Sequence, residues 1–510
     1  MEKVAVIELS LHYAKLNILS VSESNYFIIT DSKKDDFRFE LEKENEGFLK
    51  KPEIDAMVSV LKDYRKICEI NNVTKTFAIG NFVNDNKCKN LGSFIDEVFS
   101  QCGFKFVLLS DFEQNQYLYT GVINSMDIPK AVIIEVDQDK IHLIQYNRRV
   151  MTNNSVVYTG PLDILARNPF DDSESTEEHM NKLAEQFNKE IADLSWLNNI
   201  DEEYDVIITG DYAIDLCEMV RKYNKHPFDF NNNYVCKRED VKFIRDQLNG
   251  IDLNKNKRLK GIGEDRADVF AVSVMMLDVI FEKTGKSELH VSTASVARGM
   301  LFNQIIPETL EKPLADVLGY SLVAQTSYFD AANIKHNEQV YNLSLLLFKQ
   351  LRVMHKLSRS YVRVLRAAAY LHDVGERVNF INHSKHSFYV ILASEIYGIT
   401  HREQVLAAFV AYMHEGKDVN MAEWVKYKEI VTDEDLEAVK KLGIIVRLAE
   451  ALDRAKHAYI IDIGCDILGD SVILKTTTVA ENMDIAFEIK EALKCYREFE
   501  KYFKKKLEII

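Results

Sequence analysis

Apolar residues near the start of the chain alternate or run in short blocks. This pattern predicts three strands, at Val4–Leu9, Ala14–Val21 and Tyr26–Thr30. Apolar positions at helical spacing over Pro52–Asn72, closing on Asn71-Asn72, predict a helix. A strand (Thr74–Gly80), a helix (Gly92–Gly103), a strand (Phe104–Ser110) and a helix (Phe112–Met126) follow. Ala131–Asp137 and Lys140–Asn147 then read as a second hairpin laid out like the first, a weak internal repeat. A helix over Glu177–Asn198 and strands at Tyr204–Gly210 and Glu288–Ala294 continue the alternation, which points to an α/β architecture. The texture changes after Pro307 and Pro313: from Leu314 to about Ala458 the pattern is amphipathic helix. A strand at Ser471–Thr478 and a charged helix over Ala486–Ile510 close the chain.

At 510 residues, 47% hydrophobic and 28% charged, the chain has globular composition and material for more than one core. A net charge of −15 leaves no general basic footprint for nucleic acid, so a polyanionic ligand would need a local basic patch. Lys15, Lys140, Arg148 and Arg149 supply such charge or simply form solvated surface. The C-terminal cluster Lys504-Lys505-Lys506 is open to the same two readings. Seven scattered cysteines without a Cys-x-x-Cys pair point to a reducing compartment and away from a sulfur-ligated zinc site. With no signal-like N-terminus and no apolar run of about 18 residues, a cytoplasmic protein without membrane contact is expected.

The helical region carries the sharpest chemical signal. His336, the pair His372-Asp373, His386, His414 and Asp453 follow one another on segments that read as helix or helix edge. Imidazoles and carboxylates suit manganese, iron, zinc or magnesium, and Asp373 is placed to bridge two ions. Ions so held polarise a phosphoryl oxygen and lower the pKa of bound water. The bland alternative is a set of core or surface histidines; His383 and His457 show that spare ones exist. The order His, His-Asp, His, His, Asp resembles the HD superfamily of metal-dependent phosphohydrolases. Its usual Lys after His-Asp-x-Gly is Glu376 here.

The whole chain resembles the exopolyphosphatase and guanosine pentaphosphate phosphohydrolase (Ppx/GppA) family in its longer form, with a C-terminal HD domain. The carriers are Gly261–Leu277 with Arg266-Ala267-Asp268, the stretch His290–Leu301, the segment around His372-Asp373, and Glu113–Val122. The resemblance implies two actin-like, RNase H-like subdomains (1–124 and 125–305), a helical HD domain (306–460) and a small α+β tail (461–510). It also implies phosphate chains bound between the lobes and cut by an activated water with magnesium, and a homodimer through the C-terminal helices.

Aligned on the family's two phosphate loops, the first Asp becomes Glu8 and its Gly becomes Ser10, Ser becomes Leu11 and Asn becomes His12. Lys15 keeps the basic residue after the turn. The second loop becomes Glu135-Val136-Asp137-Gln138-Asp139, with every glycine gone. Those glycines let backbone N–H groups reach phosphate, and two carboxylates now stand where an anion should sit. The family's catalytic Glu falls on Gln114, a neutral amide that cannot act as a base, with Glu113 adjacent. A phosphate-binding Arg falls on Val83. The interlobe site is therefore expected to be catalytically impaired, which favours the first of three functions over the other two. The first is a binding or regulatory protein for a phosphate-rich small molecule or polyphosphate. The second is a metal-dependent phosphohydrolase acting through the HD domain. The third is an active exopolyphosphatase with shifted motifs.

Overall fold

Both hairpins expected from the alternation form in the computed structural model, and each opens a sheet. In the first, β1 (Glu2–Leu9), β2 (Tyr13–Val21) and β3 (Phe27–Asp36) run antiparallel. β4 (Lys75–Gly80) and β5 (Phe106–Leu108) add in parallel, giving the order β3-β2-β1-β4-β5. In the second, β6 (Lys130–Val136), β7 (Ile141–Asn147) and β8 (Val150–Val157) are antiparallel, and β9 (Asp205–Thr209) pairs in parallel with β6. β10 (Val235–Lys237) lies antiparallel at the edge beside β11 (Glu288–Val291), so the order is β10-β11-β9-β6-β7-β8. Without β10 the two sheets have the same strand order, and the weak repeat in the sequence is a repeat of fold.

The structure describes every residue except 11, 24, 38–47, 83–87, 170–173, 199, 251–266, 307–309, 328–330 and 482. Leu11, Val83 and Gly261–Arg266, all singled out above, lie outside the described residues. The chain forms two compact units, Met1–His226 with Phe230–Ala315, and Pro227–Asp229 with Asp316–Ile510.

In the first unit both faces of each sheet's central strands are covered, which is why Val4–Leu9 reads as an almost unbroken apolar run. Helix Lys51–Ile70 buries Ile54, Met57, Val58, Leu61 and Tyr64 against the first sheet's core. Helix Ala267–Thr284 is buried nearly all round in the second. Helices Asp111–Ile123 and Val296–Ile305 cross at two glycines. A Cβ on Gly299 would lie 1.6 Å from the Tyr117 carbonyl oxygen, and one on Gly121 3.0 Å from that of Ser295.

The second unit is built on helices Ala331–Gln350, Tyr361–Leu371, His383–Ala393, His401–Met413 and Asp433–Ala451. Leu343, Leu347, Leu365, Ala368, Leu406, Phe409, Leu442 and Ile445 form its interior. It closes with a sheet of β12 (Ile460–Ile467), β13 (Ser471–Thr478) and β14 (Lys506–Ile509). The single terminal helix expected over Ala486–Ile510 is instead helices Ala486–Leu493 and Tyr496–Phe503 followed by β14. Lys504 at φ +59° ends the second helix, and β14 pairs in parallel with β13. Among the described residues no helix is long and apolar enough to cross a membrane.

Candidate functional site

The two hairpin turns of the first unit face one cavity of about 40 Å³, lined by Glu8, Tyr13, Lys15, Glu135, Asp137 and Asp211 among others. That is room for a few water molecules and far below the size of ordinary ligand pockets. Glu8 and Glu135 occupy matching positions near the ends of β1 and β6, as the repeat requires. Glu8 is buried and accepts hydrogen bonds from the Tyr13 hydroxyl (2.8 Å) and Asn81 Nδ2 (3.4 Å). Burial raises its carboxyl above the ordinary range, with Lys15 and Tyr13 offsetting part of the effect. Burial, followed by the charges of Asp137 and Glu8, pushes Glu135 well above that range. Lys34 pairs with Asp211 at 2.6 Å.

Several amides of the two turns already have acceptors within the chain. Ser10 Oγ accepts from the N–H of His12 and of Tyr13, both at 3.1 Å. In the second turn Asp137 Oδ1 accepts from the Gln138 N–H at 2.8 Å, and the Asp137 N–H donates to the Lys140 carbonyl at 2.9 Å. The residues that replaced glycine therefore consume the backbone donors as well as adding bulk and charge.

Gln114 is fully buried, and its Nε2 donates to the Leu109 carbonyl at 2.9 Å. Its Oε1 accepts from Lys140, a lysine that is itself fully buried. The Lys140 ammonium also lies 3.4 Å from Asp111 Oδ1 and 3.5 Å from Asn81 Oδ1. A cation from the second hairpin turn thus occupies the surroundings of the expected base position and ties it to the first lobe. Of the two readings the sequence left open for Lys140, solvated surface does not hold: the side chain is buried among polar partners. Glu113 is not a spare base. It is exposed, and its carboxylate accepts from the Ser110 N–H (2.8 Å) and hydroxyl (2.7 Å), which closes a capping box and lowers its pKa.

In the second unit, His336, His372, Asp373 and His414 come together as expected, joined by His383 rather than His386. Four Nε2 atoms converge on the Asp373 carboxylate: His383 at 3.3 Å, His372 at 3.4 Å, His414 at 3.6 Å and His336 at 4.0 Å. They form two triads, His336/His372/Asp373 and Asp373/His383/His414, which share Asp373. His383 opens its helix directly after Asn382 at φ +61°. His386, the expected ligand, lies nearly a full turn further along, where its Cβ backs onto Gly375. Asp453 stands behind the cluster: its Oδ2 accepts from His336 Nδ1 at 2.8 Å and its Oδ1 from the Ala458 N–H at 2.7 Å.

The remaining imidazole nitrogens are anchored the same way. Nδ1 of His372, His383 and His414 donates to the carbonyl three residues earlier, on Ala369 (2.8 Å), Phe380 (3.0 Å) and Ala411 (2.6 Å). That fixes the ring orientations and turns each Nε2 toward Asp373, with His383 Nε2 also 2.8 Å from His414 Nε2. Nε2 of His336 and of His372 is buried without a hydrogen-bond partner. Burial drives His372 down to about 3, so its ring is neutral. Burial opposes ionisation of Asp373, yet the surrounding histidines hold it well below the ordinary carboxylate range. Lys456 Nζ lies 3.8 Å from Asp373 Oδ2, supplying a cation that Glu376 does not.

The chain matches the Ppx/GppA phosphatase family over residues 18–307 and Ppx/GppA phosphatase, domain III, over residues 324–489. It is similar to guanosine-5'-triphosphate,3'-diphosphate pyrophosphatase of Aeromonas hydrophila, with 24% identity over 156 residues, 30% of this chain and 30% of that protein. The Aeromonas salmonicida protein of the same name is 23% identical over 156 residues. The matched stretch thus spans less than a third of these curated relatives. The crystal structure of an exopolyphosphatase from Cytophaga hutchinsonii superposes with TM-score 0.54 at 17% identity, covering 60% of this chain and 98% of that one. The Aquifex aeolicus family member gives 0.51 at 18%, covering 61% and 99%. At such identity the likeness is one of fold, the two-lobed actin-like α/β architecture.

Proposed function

Because the chain belongs to the Ppx/GppA phosphatase family, we propose that it is a phosphohydrolase whose chemistry resides at the His/Asp centre of its helical unit, the interlobe cleft having lost hydrolysis. The observation that carries this reading is the pair of triads sharing Asp373, with two buried Nε2 atoms that lack a hydrogen-bond partner. An orphaned buried nitrogen is costly unless something accepts its lone pair, and a divalent cation does.

The donor set fits two divalent ions of the manganese, iron, zinc or magnesium class. His336 and His372 would hold one and His383 and His414 the other, with Asp373 between them. Bound there, the ions would supply Lewis acidity and a hydroxide near neutral pH. The chain's own residues do the rest. Asp453 orients His336, and three backbone carbonyls orient the other imidazoles. Lys456, kept by Asn333 at 2.7 Å, places positive charge beside Asp373 for an incoming phosphate ester. We assign to this centre an HD-type phosphomonoesterase or phosphodiesterase activity. Loss of hydrolysis in the cleft is supported by Gln114, which offers no base and whose oxygen accepts from Lys140, and by turn amides bonded to Ser10 and Asp137.

Elemental analysis of full-length protein produced with manganese or iron should find on the order of two divalent ions per chain. The protein should then release p-nitrophenol from p-nitrophenyl or bis-p-nitrophenyl phosphate, and Asp373→Ala should lose both properties. Polyphosphate should stay intact. Metal-free protein without phosphatase activity under both supplements, or magnesium-dependent polyphosphate cleavage by the Asp373→Ala variant, would reject the proposal.

A further inference from the structure

The β7–β8 hairpin turns through two residues, Arg148 and Arg149, with Asn147 paired to Val150. Both arginines sit at positive φ, 48° and 70°. Turns of this kind favour Asn-Gly, because a side chain at positive φ costs backbone energy. Two guanidinium groups are therefore presented here against a local strain, and the surroundings show what one of them faces. Arg149 Nη1 is buried without a hydrogen-bond partner, and so is the hydroxyl of Tyr119, a residue only 6% exposed. Both residues line one groove of about 510 Å³, together with Phe112, Gln116, Val150 and Met151. Phe112 and Val150 are more than 60% exposed, at 62% and 63%, so the groove offers apolar surface to a ligand.

An unpaired buried guanidinium N–H and an unpaired buried hydroxyl in one groove are two polar groups awaiting partners. The volume is that of an ordinary small-molecule site, and the lining combines apolar surface with a few polar groups. We infer that this groove binds a small anion with an aromatic or apolar body, of about nucleotide size. The Arg149 guanidinium takes the phosphate or carboxylate through its planar fork. The Tyr119 hydroxyl hydrogen-bonds the ligand, and Phe112 covers its ring. Arg148, exposed in the same turn, adds local positive potential on a chain whose net charge is −15. None of these residues belongs to the cavity between the hairpin turns or to the His/Asp centre.

Isothermal titration of the full chain with AMP, adenosine and inorganic phosphate tests this, with EDTA present so that the His/Asp centre holds no metal. AMP should bind with a Kd on the order of 0.1 mM, and adenosine and phosphate each at least about tenfold more weakly. Arg149→Gly relaxes the strained turn, so its melting temperature should be no lower, while AMP affinity falls about tenfold or more. Tyr119→Phe should weaken AMP by about threefold or more. No AMP binding, or affinity unchanged in the folded Arg149→Gly variant, would overturn the site. Phosphate binding as tightly as AMP would overturn the apolar half of the assignment.

Discussion

A buried carboxylate destabilises a fold more as pH rises above its ordinary ionisation range, and Glu8 is such a group. Its folded-state pKa is raised, so the native state holds the proton more tightly than the unfolded chain. Stability is then lost as pH climbs from the unfolded value, about 4.3, through the folded one. Glu8→Gln keeps an oxygen to accept from Tyr13 and Asn81 and removes the charge near Asp137 and Asp211. The variant should be more stable than the parent by about 1 kcal/mol at pH 7, with the advantage gone at pH 4. Urea denaturation at both pH values checks this, and an equal or reversed difference at pH 7 would contradict it. What was legible at this scale was residue type, not surroundings. The absence of glycine from both turns could be read directly. That Ser10 and Asp137 cap the emptied turns, and that Lys140 is buried on Gln114, depends on side-chain contacts that no spacing encodes. That His383 rather than His386 faces Asp373 was equally hidden, since two histidines three residues apart lie on the same side of one helix.

Between elements, helices Asp111–Ile123 and Val296–Ile305 approach closely at Gly121 and Gly299. The stretch His290–Leu301 stood out as a family-like motif, and the crossing gives its glycine a physical reason. A methyl group at Gly299 would overlap the Tyr117 carbonyl at 1.6 Å, and backbone cannot swing aside as a flexible side chain does. Gly299→Ala should destabilise the first unit by about 3 kcal/mol or more, or leave it unfolded. Gly121→Ala, whose new contacts start at 3.0 Å, should cost markedly less. Circular dichroism melts of the two variants rank them, and equal melting temperatures would refute the close approach. The strands that could be read are those whose apolar residues alternate or cluster, β1, β2, β6 and β7 foremost. β8 escaped because Val150–Val157 carries Thr, two Asn and Ser in its middle, and β10 because it has only three residues. β14 escaped because a lysine-rich end continues a helical pattern until Lys504 turns left-handed.

The whole molecule has two compact units, and the proposed chemistry belongs to one of them. The residues converging on Asp373 come from four separate stretches of the helical unit, so an ion held there would cross-link helices far apart in sequence. A ligand that binds only the folded state stabilises it by mass action, by about 2.7 kcal/mol at a concentration of one hundred Kd. That gain should appear in the unit that holds the ion. Manganese added to metal-free protein should therefore slow amide exchange in helices Ala331–Gln350, Tyr361–Leu371, His383–Ala393 and His401–Met413. Exchange in β1, β4, β6 and β9 should stay as it was. His383→Ala should abolish the protection, whereas His386→Ala should keep it, because His386 lies outside both triads. Protection spread evenly over both units would point to a metal site elsewhere, and loss of protection in His386→Ala with retention in His383→Ala would reverse the ligand assignment. Among the described residues, the acidic cavity between the hairpin turns forms no such cluster. Burial, with the charges of neighbouring acids, draws Glu8 and Glu135 toward protonation, and a neutral acid holds a divalent cation weakly. The two units thus carry opposite electrostatic designs. In one, burial and neighbouring acids raise Glu135; in the other, the histidines around Asp373 lower it against the effect of burial.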